Sequence, residues 1–291
     1  MNSVYVVAGI SKQWFYKKLR HEEKEWTRRE RIEEMVREVR KNHPRMGSRP
    51  MYYKLGIRGV GINKFERIMS EIGLGVIRKK KRIITTHSNP FQKHYPNLTY
   101  GKKLNGINQL WVSDITYWVG LRETYYITMM QDVYSRRLLG YQANNNMYTE
   151  NNVNVLSQSM HIRKASRYED LVHHSDKGSQ YGSGEYINKL KKAGIDISMA
   201  GNSIENPYAE RLNGIIKNDY LAFEQIFDLA SLNKALDRAV WLYNYERPHS
   251  ELKYMTPIEY ERQLVKLNPF ERTQMILFDF TEHEQRKTYK Q

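Results

Sequence analysis

The chain has 291 residues, 40% of them hydrophobic, enough for about two domains with cores of their own and too apolar for a disordered polypeptide. Its 47 Lys and Arg against 32 Asp and Glu leave a formal charge of +15, which points to a polyanionic partner, nucleic acid before an anionic membrane. With no cysteine, disulfides, a thiolate nucleophile and Cys-ligated zinc are excluded, so any metal must be held by carboxylates and histidines.

The N-terminal stretch "MNSVYVVAGISKQWFYKK" has neither a basic lead-in nor a cleavage motif, and no apolar run approaches the roughly 20 residues that span a bilayer. The expectation is a cytoplasmic protein without a membrane partner. From Arg29 to Asn42 the residues Ile32, Met35, Val36 and Val39 form one helical stripe, closed by Pro44. A second helix is expected over Arg49 to Leu55 with Ser48 as its cap, followed by the glycine-rich turn "GIRGVGIN". A third begins at Asn63, with Glu66 completing a capping box and Phe65, Ile68, Met69 and Ile72 as its apolar stripe before Gly73. Helix, turn, helix is the result. Lys64 and Arg67 lie off the apolar stripe and are expected, with the basic run Arg78, Lys79, Lys80, Lys81 just behind, to face DNA, the alternative being solvated charges on a three-helix module.

Residues 83–104, polar and aperiodic with two prolines, read as a linker. Then "NQLWVSDITYWV", "ETYYITMMQDVY" and "RRLLGYQA" are three strands joined by two hairpins. A helix capped by Thr149 follows, with Val153, Leu156 and Met160 on one face; then come the short strand "DLVHH", a helix from Gly184 to Ala193, the strand "IDISMA" and a helix beginning near Asn206. Three antiparallel strands followed by helix, strand, helix, strand, helix give an α/β fold on a mixed sheet. A last long helix over Ser231 to Tyr245 leads into "RPHSELKYMTPIEY".

The chemistry centres on "VHHSDKGSQYGS", Val172 to Ser183. It is not a G-x-S-x-G hydrolase elbow, nor does it have the order of a nucleotide-binding loop. His173 and His174 are a poor zinc pair, because neighbours on a strand point to opposite faces, and one of the two is expected to be buried. Asp176 gains meaning only if other carboxylates converge on it. Asp114, an acid within the apolar strand "LWVSDITYW", is expensive unless paired. Glu210 shares one helical face with Asn206, Asn213 and Lys217 at spacings of four, seven and eleven. Three carboxylates without cysteine describe a hard-cation site for Mg²⁺ or Mn²⁺, and two such ions serve phosphodiester chemistry. On a basic chain the phosphodiester is that of DNA, with Lys217 and Arg211 as phosphate contacts.

At these residues the sequence resembles the OrfB-type transposases of bacterial insertion sequences. The matching stretches are "WVSDITYW", "QDVYSRRLLGY", "HHSDKGSQY", "ENPYAERLNGIIKNDYL" and "YNYERPHSELKYMTPIEY" in the family's order, with "HPRMGSRPMYYKL" and "INKFERIMSEIGL" resembling its helix-turn-helix. The resemblance implies a retroviral-integrase-like catalytic core: a ribonuclease-H-like mixed five-stranded sheet flanked by helices, preceded by an α-helical helix-turn-helix domain. It divides the chain into an N-terminal helical segment (1–28), a DNA-binding domain (29–82), the linker (83–104), the core (105–265) and a tail (266–291).

The same resemblance implies an acidic triad at Asp114, Asp176 and Glu210, each catalytic and each a metal ligand, with two ions of Mg²⁺ or Mn²⁺. It leaves Asp132 structural and His174 as a DNA contact. The implied activity is metal-dependent cleavage of element ends and transfer of the freed 3′-hydroxyl to target DNA, with no covalent protein intermediate. Implied partners are element-end and target DNA, an upstream-frame protein or fusion segment, and further copies of the chain on DNA, at the nucleoid. A nuclease without strand transfer, a non-catalytic DNA-binding regulator and a decayed copy are the alternatives. Glu210 follows Asp176 by 34 positions (210 − 176), about two fewer than is usual in the family. Glu205, five residues earlier than Glu210, is a competing ligand should the helix be displaced.

Overall fold

A computed structural model describes residue 7 and residues 9–76, 95–121, 123–164, 167–201 and 203–278. The chain divides into two compact units, Met1–Arg78 and Lys79–Gln291.

In the first unit α1 runs unbroken over Lys12–Asn42, capped by the Ser11 side chain, which accepts from Trp14 N at 3.1 Å. The helix expected from Arg29 therefore starts 17 residues earlier, because neither Gly nor Pro interrupts the preceding stretch. Ile32 and Val36 bury their side chains with those of α2 (Ser48–Leu55) and α3 (Ile62–Glu71), around Met51, Phe65, Ile68 and Met69. The expected capping box at Asn63 does not form. Burial of Phe65, Ile68 and Met69 accompanies a start of α3 two residues earlier, with Gly61 rather than Asn63 as the N-cap, and Glu66 instead accepts from Arg49 Nε at 2.9 Å. Gly56 and Gly59, both left-handed (φ +57° and +73°), make the turn between α2 and α3.

The second unit is built on a five-stranded mixed sheet. Its chain-order elements are β1 (Lys103–Leu104), β2 (Leu110–Val119), β3 (Thr124–Asp132), β4 (Leu138–Asn144), α4 (Thr149–Arg163), β5 (Val172–Ser175), α5 (Gly184–Lys192), β6 (Asp196–Met199), α6 (Pro207–Ile215), α7 (Leu229–Tyr245), α8 (Pro257–Leu264) and β7 (Met275–Ile276). The sheet order is β4-β3-β2-β5-β6, with β2, β3 and β4 antiparallel and β5 and β6 parallel to β2. That is the ribonuclease-H-like arrangement, and the α/β expectation holds.

Alternation along the strands feeds two cores. Ile127 and Met129 pack with Leu212, Leu232, Leu236 and Tyr243 of α6 and α7 on one face. Trp111, Met130 and Leu139 pack with Val155, Leu156, Tyr186 and Leu190 of α4 and α5 on the other. The buried face of α4 is Asn152, Val155, Leu156 and Ser159, rotated from the expected Val153, Leu156 and Met160. Gly140 on β4 is the reason, since a Cβ there would collide with the Val155 carbonyl oxygen, so α4 settles onto the strand at this point.

The ends of this unit are more ordered than linker and tail. Asn97, Leu98 and Thr99 hydrogen-bond to the core or to one another, Thr99 is buried, and β1 pairs with β7, so residues 101–104 and 275–277 close on each other. Residues 83–94 and 279–291 lie outside the described residues.

A buried ion network joins β3, α4 and α8. Asp132, fully buried, accepts from the backbone amides of Asn108 (2.7 Å), Tyr134 (3.0 Å) and Ser135 (3.1 Å) and from Arg163 (3.1 Å). Arg163 also reaches Glu261 at 2.7 Å, which in turn takes Ser135 Oγ and Arg137, each at 2.7 Å. Burial acts to raise the Glu261 carboxyl, but Arg163, Ser135 and Arg137 outweigh it and hold it below its ordinary 4.5. A depressed carboxyl contributes stability above its unfolded value and loses it as pH falls through the folded one. Arg163→Met is expected to cost about 3–5 kcal/mol at neutral pH by stranding two buried carboxylates. Burial leaves the Asp132 carboxyl above its ordinary 3.8 even beside Arg163, so acid relieves the variant, which strands both carboxylates, more than the parent. Thermal melts from pH 7 down to about 3 should show the gap between the two narrowing; parallel curves would contradict the assignment.

Candidate active site

The parallel register of β2 with β5 pairs Trp111 with His173 and Val112 with His174. Continued two residues, it sets Asp114 level with Asp176, which follows the last residue of β5. Both aspartates are partly covered. Burial first, then the charge of Asp176, then that of Glu210 push the Asp114 carboxyl up to about 7, against the opposing hydrogen bonds of Ile115 N–H and Asn213. Asp176 is also raised by burial, moderated by the Gly178 amide, which donates to its Oδ1 at 2.9 Å. A Cβ on Gly178 would stand 2.9 Å from that same oxygen, so the glycine lets the loop close over the carboxylate.

Glu210 projects from α6 and is exposed. The helix that carries it is tied to β2 along the face expected from spacing. Asn206 Nδ2 donates to Ser113 O (3.1 Å), Asn213 Nδ2 to Asp114 Oδ2 (2.8 Å), and Lys217 Nζ to Thr116 Oγ1 (3.1 Å), with the ammonium 4.6 Å from the centre of the Tyr117 ring. Asn206 and Asn213 are buried against the strand, so at these two positions the stripe clamps the helix, while Glu210 stays exposed. Residues Ile216–Tyr220 widen into a π-helix, a feature frequent at functional sites, and Lys217 stands within it. Asn213, three residues beyond Glu210, is the contact that sequence reasoning placed on the right face but gave no role.

Asp114, Asp176 and Glu210 thus share one electrostatic field. Among the described residues, however, no three His, Asp or Glu side chains are already gathered closely enough to hold a metal ion. Glu205 is directed elsewhere. Its carboxylate accepts from Asn97 Nδ2 (2.7 Å) and Gly201 N (2.8 Å), bonds that with Tyr100 hold it below its ordinary value despite opposing burial.

Both histidines are buried, where one was expected. His173 Nε2 meets Tyr186 OH at 3.0 Å, and burial drives its pKa down to about 3. His174 Nε2 lies 3.1 Å from the Glu205 carbonyl, an acceptor only, so Nε2 carries the proton and Nδ1 accepts from Ser198 Oγ at 2.8 Å. With both nitrogens engaged and its pKa pushed by burial to about 4, His174 offers DNA no contact in this conformation; it joins β5 to the loop before α6. Of the other expected DNA contacts, Lys64 pairs with Glu25 (2.7 Å), Arg67 with Glu71 (3.7 Å) and Arg211 with Glu251. Arg78, Lys79, Lys80 and Lys81 lie outside the described residues.

Residues 105–202 and 192–257 each match a family model described as an integrase core domain. The transposase for insertion sequence element IS629 of Shigella sonnei is 28% identical over 250 residues, covering 83% of each chain. The uncharacterized 31 kDa protein of insertion element IS600 from the same organism is 28% identical over 269 residues, 88% of this chain and 97% of that one. Among solved structures, the HTLV-2 integrase catalytic core domain in complex with magnesium aligns with a TM-score of 0.43 and 19% identity over 53% of this chain and 97% of that one. Two integrase-core matches in succession across the sheet and α6, with insertion-sequence relatives along most of the length, place this chain in the integrase-core family of insertion-sequence transposases.

Proposed function

We propose that the chain is a metal-dependent DNA transposase that cleaves element ends and joins the freed 3′-hydroxyl to target DNA, with Asp114, Asp176 and Glu210 as catalytic metal ligands. The observation that carries this reading is the Asp114 carboxyl, destabilised by burial and by two other carboxylates on separate elements. A site that penalises its own negative charge is built for a cation. The donor set is all carboxylate oxygen, which suits Mg²⁺ or Mn²⁺, two ions in the full arrangement. When bound, such ions supply Lewis acidity at the phosphoryl group and an activated attacking oxygen.

The protein's own residues do the remaining work. Asn213 and the Gly178 amide each occupy one oxygen of a carboxylate and fix its orientation. Lys217, half-buried beside Thr116 and attracted by Asp114, is set to hold a phosphate of the reacting strand. Lys64, Arg67 and the run Arg78 to Lys81 would add backbone contacts, the first two by exchanging a carboxylate partner for phosphate. Two element ends must be brought together, so the working form holds at least two copies on DNA, with or without an upstream-frame segment. A DNA-binding regulator shares the basic charge but not the need for a carboxylate cluster.

Asp176→Ala and Glu210→Ala are each expected to reduce end cleavage and joining at least about 100-fold with Mg²⁺ on labelled element-end DNA, while binding in chelator stays within about threefold. Cleavage at parental rates by either variant would overturn the site, and binding without any cleavage by the parent would favour the regulator. Because Asp114 keeps its proton up to about pH 7, cation binding must expel it. The Mg²⁺ concentration for half-maximal cleavage should therefore fall as pH rises to about 7 and level off above it; a flat profile would refute this. In the metal-free protein the ionised carboxylate is penalised above that pH, so Asp114→Asn should raise stability in chelator at pH 8 by roughly 2 kcal/mol. Calorimetry showing a loss would contradict it.

A further inference from the structure

The motif "ERPHSEL" takes no part in the chemistry above, yet it lies against α6. Arg136, in the turn between β3 and β4, has a left-handed backbone (φ +60°) and only 7% exposure. Such a conformation is costly for a long side chain and persists where the surroundings require the residue to point inward. Its guanidinium stacks over the Tyr208 ring, 4.4 Å from the centre, and its Nε lies 2.9 Å from Glu251 Oε2. Glu251 also pairs with Arg211, the residue after Glu210 on α6.

Three buried nitrogens at this place have no hydrogen-bond partner: Arg136 Nε, whose contact with Glu251 is an ion pair only, Arg136 Nη1, and His249 Nε2, the last on a residue 8% exposed. Both residues line one small cavity with Tyr208, Arg211 and Glu251, and about 10 Å³ of free space remains, room for a single water. Burial and then the charges of Arg247, Arg136 and Arg211 keep His249 neutral. Three guanidinium groups thus face Glu251 and the Asp219 carboxylate that pairs with Arg247 (2.9 Å), an excess of positive charge with donors to spare. The segment carrying Glu251 is itself strained, since Lys253 and Tyr254 are both left-handed (φ +54° and +62°).

We propose that Arg136 and Arg211, beside His249, form a binding site for a backbone phosphate of DNA, and that the Glu251 carboxylate occupies that site when DNA is absent. Glu251 is 41% exposed and sits on a short 3-10 turn, so it leaves the site by swinging toward solvent. The phosphate then takes the planar donors of two arginines, the recognition arginine performs best. Placement one residue from Glu210 makes this the anchor for the strand entering or leaving the catalytic carboxylates. The proposal rests on the DNA-processing reading above.

The test is Glu251→Gln in the full chain, with binding to a labelled duplex measured in chelator across a salt series. Glu224→Gln, at another surface carboxylate paired with an arginine (Arg238, 2.5 Å), is the control for loss of one negative charge. Glu251→Gln should bind about tenfold tighter than the parent and steepen the salt dependence by about one phosphate contact, while Glu224→Gln changes affinity less than about twofold. Adding Arg211→Ala to Glu251→Gln should cancel the gain. Equal effects of the two glutamine variants, or a gain that survives Arg211→Ala, would overturn the phosphate site. Stabilisation of Glu251→Gln by inorganic phosphate without any change in DNA affinity would also overturn it, in favour of a free anion. If the parent cleaves and joins DNA while these signs are absent, only the phosphate site falls. A parent that binds no DNA removes the transposase reading and this site together.

Discussion

Parallel pairing of β2 with β5 brings two carboxylates to the same level on an apolar sheet, and the surrounding elements are arranged around that repulsion. Neither aspartate is neutralised by a neighbouring arginine. Each has instead one or two neutral hydrogen-bond donors, enough to orient it but too few to offset its charge. The third carboxylate adds to the strain from α6, a helix whose position is set by Asn206 and Asn213 against β2.

Asp132, on β3 beside β2 and equally acidic, shows the contrast. It is more deeply buried than Asp114, yet three backbone amides and Arg163 surround it, and Arg163 is balanced in turn by Glu261. Burial raises both carboxyls, but at Asp132 an arginine and three amides oppose it, whereas at Asp114 two further carboxylates add to it. Arg136 presents the converse case, a buried cation with two guanidinium nitrogens left without a hydrogen-bond partner. Burial alone does not distinguish these roles; the count and charge of the partners does.

The loop before α6, between Asp176 and Glu210, is held from several sides. Glu205 turns back to Gly201, and the residues that enter the core, Asn97 and Tyr100, reach the same carboxylate, while His174 holds the Glu205 carbonyl. A loop pinned at both its side chain and its main chain can be short without displacing the helix. That geometry commits the Glu205 carboxylate to Asn97, Gly201 and Tyr100.

Hydrophobic period and β-branched runs were enough to read the strands, the helices and the mixed sheet from sequence, because alternation and helical spacing report one buried face regardless of what covers it. The polar stripe of α6 was legible for the same reason, as was the cost of an acid at Asp114. What sequence could not supply was the partner across space. The capping box at Asn63 yielded to burial of the α3 stripe, α4 rotated to seat itself on Gly140, and the apparent linker and tail closed on each other as β1 and β7. His174, adjacent to the chemistry in the chain, became a sealed tie because Ser198 and Glu205 claimed both its nitrogens. Local pattern fixes which residues face inward; only the packing of distant elements decides which buried charges are matched and which are left unmatched.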